Sequence, residues 1–265
     1  MAMIIHREVD TAVDIFLVDI HGKVSKQLTS GPGIKYPTAV SPDGQEFAYR
    51  VEALTGGPDL PEDQVGLFVQ RFDDGSRWSI RERTGLLGHV ASWSPDGSRI
   101  VFDAQDGSSQ TDRLYLVDRN GGQLQPLSAA GVDDEYPSWS PDGELIAFQH
   151  RSGSSGFLLH TITPDGTDDR ELTHGARFDE WPLWSPDGNR LAFQSAEGIS
   201  VMTIASEDPT VLVPGDIGGV PAAWAPAEEM AFACRGGTWI CLITPGDPEV
   251  RPFVEGNFPV WVPVR

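Results

Sequence analysis

One short phrase recurs in register along this chain and limits its folding more than any other feature. Val90-Ala91-Ser92-Trp93-Ser94-Pro95-Asp96-Gly97, Tyr136-Pro137-Ser138-Trp139-Ser140-Pro141-Asp142-Gly143 and Trp181-Pro182-Leu183-Trp184-Ser185-Pro186-Asp187-Gly188 are nearly the same sentence written three times. Weaker copies flank them at Ala39 to Gly44, Ala223 to Pro226 and Pro259 to Pro263. A period of roughly 40 to 50 residues is the signature of a propeller or solenoid. Each Ser-Pro-Asp-Gly reads as a tight turn: Pro presets φ, Asp bonds the backbone ahead of it, and Gly takes φ > 0.

Short β runs follow at fixed offsets. After the turn come Phe47-Ala48-Tyr49, Ile100-Val101-Phe102, Ile146-Ala147-Phe148, Leu191-Ala192-Phe193 and Met230-Ala231-Phe232. A second run follows, such as Leu114 to Val117, and then a short fourth strand placed at Leu127-Ser128 or Leu172-Thr173. Each period therefore holds four antiparallel strands, the content of one propeller blade. The last copy stops after its first strand, and Met3 to Ile5, Ile15 to Val18 and Gln27 to Thr29 supply three strands before any full motif appears. Pairing Pro259 to Trp261 with Met3 to Ile5 would close the ring and leave no open sheet edge. The expectation is an all-β, six-bladed β-propeller with four antiparallel strands per blade, a single domain over residues 1–265.

These residues resemble the WD40-like, or PD40, repeat of TolB-type propellers, and the resemblance spans essentially the whole chain. It implies a binding platform for partner proteins, here without the N-terminal α/β domain of TolB. Similar repeats form the propeller of prolyl-oligopeptidase-like proteases, but a hydrolase domain carries their serine. No Gly-x-Ser-x-Gly elbow appears in this sequence.

Charge narrows the partners. With 39 acidic against 19 basic side chains the net charge is -20, which opposes binding to nucleic acid or anionic membranes, since both require clustered Lys and Arg. Cationic groups are the compatible ligands, and a monomer is expected. The first residues lack the pattern of a secretory signal, so the chain reads as cytoplasmic as written, or periplasmic or secreted if a leader has been removed. Cys234 and Cys241 form no disulfide framework and read as free, structural thiols.

The tryptophans Trp93, Trp139, Trp184, Trp224 and Trp261 read as packing between blades, and the motif aspartates as turn-formers. Chemistry is expected on the opposite face, where the loops Glu52 to Gln64 and Gln105 to Thr111 vary most. Four positions before each repeat Trp stand Tyr36, His89, Glu135, Glu180, Val220 and Asn257. A second rim ring, after the aromatic of the second strand, holds Arg50, Asp103, Gln149, Gln194 and Ala233, with His6 from the N-terminal strand. Together they describe a polar funnel with an acidic side, to which Asp133, Asp134 and Asp179 add charge and beside which His150 and His174 sit on flanking loops. His160 reads as structural, and Asp165, Asp168 and Asp169 as a solvated turn.

The leading reading is a binding module presenting this funnel to a protein or small polar ligand. In the alternative, Glu135, Glu180 and His89 are catalytic residues of an axial-site lyase, hydrolase or cyclase, with Glu135 or Glu180 as general base or acid raised in pKa by the neighbouring carboxylate, while Tyr36, Arg50, Asp103, Gln149, Gln194, Asn257 and His6 bind the ligand. A divalent cation at the axial opening is a further occupant these ligand types admit.

Overall fold

The computed structural model describes residues 2–9, 12–54, 59–105, 111–153, 156–175, 178–206, 208–215, 223–225, 229–234, 238–244, 246 and 249–263. The strands β1 (Ala2–Val9), β2 (Ala12–Asp19) and β3 (Val24–Gln27) come first in the chain, and β24 (Asn257–Val262) comes last. These four make one blade. Met3 pairs with Trp261 and Ile4 with Val260 in an antiparallel ladder, so the two ends of the chain meet in one sheet, as the sequence predicts.

The other five blades run in chain order, innermost strand first. The first is β4 (Ile34–Val40), β5 (Glu46–Glu52), β6 (Gly66–Arg71) and β7 (Arg77–Ser79); the second is β8 (Gly88–Trp93), β9 (Arg99–Gln105), β10 (Asp112–Asp118) and β11 (Gln125–Pro126). The third is β12 (Asp134–Trp139), β13 (Ile146–Arg151), β14 (Phe157–Ile162) and β15 (Arg170–Glu171); the fourth is β16 (Glu180–Trp184), β17 (Arg190–Ser195), β18 (Gly198–Thr203) and β19 (Thr210–Pro214). The fifth is β20 (Ala223–Trp224), β21 (Met230–Cys234), β22 (Trp239–Ile243) and β23 (Arg251–Glu255). A six-bladed all-β propeller results. Among the described residues the only α-helix is α1 (Ile80–Thr84), capped by Ser79, whose hydroxyl accepts from the Glu82 amide. No helix among them is long and apolar enough to cross a membrane.

The repeated turn works as its chemistry requires. The Ser94 hydroxyl donates to Asp96 Oδ1 at 2.6 Å, that oxygen accepts the Ser98 amide at 3.0 Å, and Gly97 takes φ 70°. Ser41–Asp43, Ser140–Asp142 and Ser185–Asp187 repeat the arrangement. Hydroxyl and amide donors favour the charged carboxylate and hold Asp96 and Asp187 at about 2. They are scaffold.

Packing follows from the same register. Among the described residues six apolar clusters form, each drawing side chains from two neighbouring blades. Trp139 lies with Val101 and Leu116 of the second blade, and Trp184 with Ala147 and Leu159 of the third. The Trp184 indole N–H donates to Ser138 O at 3.0 Å, and the Trp261 indole to Ala223 O at 3.1 Å, each across a blade boundary.

Three expectations need correction. The short fourth strands fall two residues earlier than expected, at Gln125–Pro126 and Arg170–Glu171, because Leu127 and Leu172 turn inward and are buried in the clusters. His150 lies within β13 rather than on a loop. Cys234 and Cys241 are not free thiols: they sit on adjacent antiparallel strands with Cα atoms 5.9 Å apart and are disulfide-bonded. That Cα separation is ordinary for a disulfide, so the hairpin between them brings the sulfurs together.

Candidate functional site

The six innermost strands surround a channel of about 470 Å³, whose wall takes residues from β4, β8, β12, β16, β20 and β24. Each of the four long inner strands from the first to the fourth blade carries a register shift, between Pro37 and Ala39, Gly88 and Ala91, Glu135 and Ser138, and Glu180 and Leu183. At the bulge Tyr136 and Trp181 take φ values of 54° and 56°, and Phe258 on β24 takes 48°. Bulky side chains rarely occupy this left-handed region. Here it turns three aromatic rings into the channel wall. The sequence reading missed these positions, although an aromatic before Pro at one register in three copies is the signal that would have found them.

Beside the channel mouth lies a second cavity of about 540 Å³, lined by Arg50, Glu52, His89, Asp103, Asp112, Glu135 and Tyr136 among others. Four of these, Arg50, Glu52, His89 and Tyr136, also line the channel, so the two spaces share a wall. The expected residues His89, Glu135, Arg50 and Asp103 therefore come together where the first three blades meet. Arg50 pairs with Glu52, and its guanidinium stands 5.8 Å from the centre of the Tyr36 ring. Asp103 is 1% exposed, and its Oδ1 accepts the Val90 amide at 2.7 Å. His89 Nδ1 lies 3.4 Å from Asp112 Oδ1 and 4.0 Å from Asp103 Oδ2.

Asp112, the first residue of β10, is the member that sequence reading did not supply. It belongs to neither aligned ring, because it enters the rim from the third strand of its blade. Its amide donates to Asp133 Oδ1 at 2.9 Å, and Asp133 in turn pairs with Arg151.

Crowded carboxylates resist ionisation. Burial, then the charges of Asp103, Asp133 and Asp112, pushes Glu135 up to about 7, with Arg151 opposing. Burial also pushes Asp103 up to about 6 against the pull of His89. For His89 burial acts downward, but the nearby Asp112 and Asp103 carboxylates outweigh it and its pKa rises.

Glu180 stands apart from this group. It does not line either space. Gln149 separates it from Glu135: the Gln149 amide donates to Glu135 Oε2 at 2.8 Å, while its oxygen accepts the Trp181 amide at 3.1 Å. The glutamates accordingly do not raise one another. Glu180 is raised by its own burial and by Asp179, with Arg151 opposing, and the carboxylates acting on Glu135 are aspartates. A His89, Glu135, Glu180 constellation is thus replaced by His89, Asp103, Asp112 and Glu135.

The remaining candidates have local roles. Gln194 donates to the Ser195 carbonyl at 2.9 Å. Asn257 Oδ1 accepts the Phe258 amide at 2.9 Å, and its backbone faces His6 in the ladder. His6 packs against the rings of Tyr36 and Phe258, with centroids 5.3 and 5.1 Å away. Val220 lies outside the described residues, as do the middles of the two variable loops. His160 is satisfied by Asp169 at 2.8 Å, and the Thr163 hydroxyl bonds Asp165 in a turn.

Burial holds His6 down to about 4 against a hydrogen bond with the Lys35 backbone. An unfolded chain protonates this imidazole near its usual 6.5 and the folded one does not. Its contribution to stability is therefore present above about 6.5 and is lost as pH falls towards 4, at up to about 1.4 kcal/mol per pH unit. His6→Phe, which keeps the aromatic cluster, is expected to flatten this part of the dependence, read from urea unfolding at pH 7 and pH 5.

The family profile of the TolB beta propeller domain, PD40, matches residues 58–237. The chain belongs to the TolB β-propeller family. Among solved structures it is similar to TolB from Acinetobacter baumannii, with TM-score 0.80 and 20% identity over 99% of this chain and 66% of that one. The chain thus spans just under two thirds of that TolB. A putative TolB from Agrobacterium tumefaciens superposes with TM-score 0.73 and 17% identity, covering 97% of this chain and 90% of that one. Oligogalacturonate lyase from Vibrio parahaemolyticus matches with TM-score 0.62 and 14% identity over 96% and 74% of the two chains. At these identities the superpositions speak for the fold alone. No curated protein matches the sequence.

Proposed function

We propose that this TolB-family propeller is a binding module whose side cavity, at the mouth of the axial channel, receives a cationic group carried by a protein or small polar ligand. The observation that carries this reading is the acidic wall: Asp103, Asp112, Glu135 and Glu52 line one cavity with His89 and Arg50, and Asp133 stands close behind Asp112 and Glu135. Asp103 and Glu135 keep their protons well above the usual carboxylate range because both are buried and other carboxylates stand close by. An arriving cation would supply positive charge, and electrostatic complementarity of this kind confers specificity. The Cys234–Cys241 disulfide favours an oxidising compartment for such a module, the periplasmic or secreted arm of the expectation.

Tetralysine is a suitable probe. At 0.15 M salt, where distant charges are screened within about 8 Å, its affinity is expected to rise between pH 6 and pH 8 as Glu135 ionises. It should fall at least tenfold in Glu135→Gln and Asp112→Asn, measured by calorimetry. Binding to both variants as tight as to the wild type would show only diffuse attraction to a chain of net charge -20, and the reading would fail.

One observation favours a second, enzymatic reading: a carboxyl raised to about 7 by burial lines the same cavity as an imidazole, and such a pair is suited to general acid-base work. Turnover of a small polar substrate lost in Glu135→Gln, with binding kept, would select it.

A further inference from the structure

We infer that the cation held most closely at this mouth is a divalent first-row transition-metal ion, Mn²⁺ or Zn²⁺, bound by His89, Asp103 and Asp112. The inference rests on the reading of the mouth as a cation site and names the cation.

The argument begins with unused lone pairs. Asp112 is 9% exposed, and its Oδ1 is sealed from solvent and accepts no hydrogen bond. A buried carboxylate oxygen left this way costs more than almost any other polar group. Its neighbour His89 Nδ1, at 3.4 Å, is too distant to satisfy it well, and the same nitrogen lies 4.0 Å from Asp103 Oδ2. One imidazole proton cannot serve both acids. Asp133, by contrast, is already engaged with the Asp112 amide and Arg151.

The spacing suits an ion better than a proton. Donor atoms about 2.1 Å from a metal stand roughly 3.0–3.4 Å apart at neighbouring vertices. The His89–Asp112 separation falls on that edge, and Asp103 Oδ2, 4.0 Å from the same nitrogen, lies just beyond it. One donor atom each from His89, Asp103 and Asp112 lies within 4.8 Å of the others, and Asp112, Asp133 and Glu135 form a second such group sharing Asp112. The chemistry selects the ion: Ca²⁺ and Mg²⁺ prefer all-oxygen shells, whereas an imidazole with carboxylates suits Mn²⁺ or Zn²⁺. The donors come from β8, β9 and β10 of one blade, and a rigid sheet fixes them before any ion arrives.

The test uses the full chain after treatment with EDTA and removal of the chelator. Calorimetry with Mn²⁺, Zn²⁺, Mg²⁺ and Ca²⁺, and the electron paramagnetic resonance of Mn²⁺, should show one Mn²⁺ or Zn²⁺ per chain, held at least tenfold more tightly than Mg²⁺ or Ca²⁺. Asp112→Asn and His89→Gln should each weaken Mn²⁺ at least tenfold while retaining the wild-type circular dichroism. Asp165→Asn, which removes an acid from a turn away from this cavity, should not. No saturable binding below millimolar Mn²⁺, binding unchanged in Asp112→Asn, or an equal loss in Asp165→Asn overturns the inference. Tetralysine separates the two readings. If it binds in EDTA while Mn²⁺ does not bind at all, only the metal assignment fails; if Mn²⁺ displaces it, one site serves both.

Discussion

Replacing Lys35 by methionine is expected to remove about 3–5 kcal/mol of folding stability, among the largest effects of any single change in this chain. Lys35 on β4 and Asp14 on β2 join the blade that holds both chain ends to the first blade, with Nζ 3.0 Å from Asp14 Oδ1 and both side chains about 5% exposed or less. The ammonium also donates to the carbonyls of Gly31 and Gly33. Asp14 accepts from the Thr29 hydroxyl and the Gln27 amide, both at 3.1 Å. Between these two blades the strand ladder itself offers a single parallel bridge, Val13 to Ile34. Lys35→Met leaves the Asp14 carboxylate buried without its counter-charge. Asp14→Leu combined with Lys35→Met should recover much of the loss, because replacing both members of a buried pair costs far less than removing one. Urea unfolding of the two single variants and the double variant gives the coupling directly. Additive losses would show that the pair does not act as a unit.

Trp184→Ala is the second large effect, expected at about 3–5 kcal/mol. The ring is 6% exposed and fills the boundary between the third and fourth blades with Leu159, Leu172 and Phe193. Trp184→Phe keeps most of that contact but leaves the Ser138 carbonyl without its indole donor, for a loss of about 1–2 kcal/mol. The same truncation at Trp261, which is only partly buried, should cost less. Thermal unfolding of the three variants tests the order. If Trp184→Ala matched Trp261→Ala, the repeat tryptophans would not be blade-boundary packing.

These expectations separate what the sequence displays from what it hides. Blade number, ring closure and the scaffold role of Asp96 or Asp187 were legible because each depends on local chemistry repeated in register: a Pro-Asp-Gly turn, a strand, a Trp. Four of the residues that line the side cavity, His89, Glu135, Arg50 and Asp103, were within reach as well, since they occupy aligned rim positions. Asp112 stayed hidden because it is unrepeated and reaches the cavity from a different strand. Glu180 was misplaced for the opposite reason. Its alignment with Glu135 is genuine, since each faces a glutamine on the next strand, yet Glu180 lines neither cavity and Gln149 bonds Glu135 alone of the two. Alignment gives a residue's height on the rim but not what stands beside it. The cysteines were misjudged by counting: two residues make no framework, but seven positions apart across one hairpin they are neighbours.

The pairing of β1 with β24 also bears on the order of events as the protein is made. Met3 must wait for Trp261, its partner in the ladder, so the strand that completes the ring leaves the ribosome after every other described strand. Until then β1 presents an unpaired edge, and the faces of two blades that will enclose β24 stay uncovered. Such an edge is a template for pairing with another nascent chain. The cell therefore carries the aggregation risk of this fold during translation, and the late arrival of about six residues ends it.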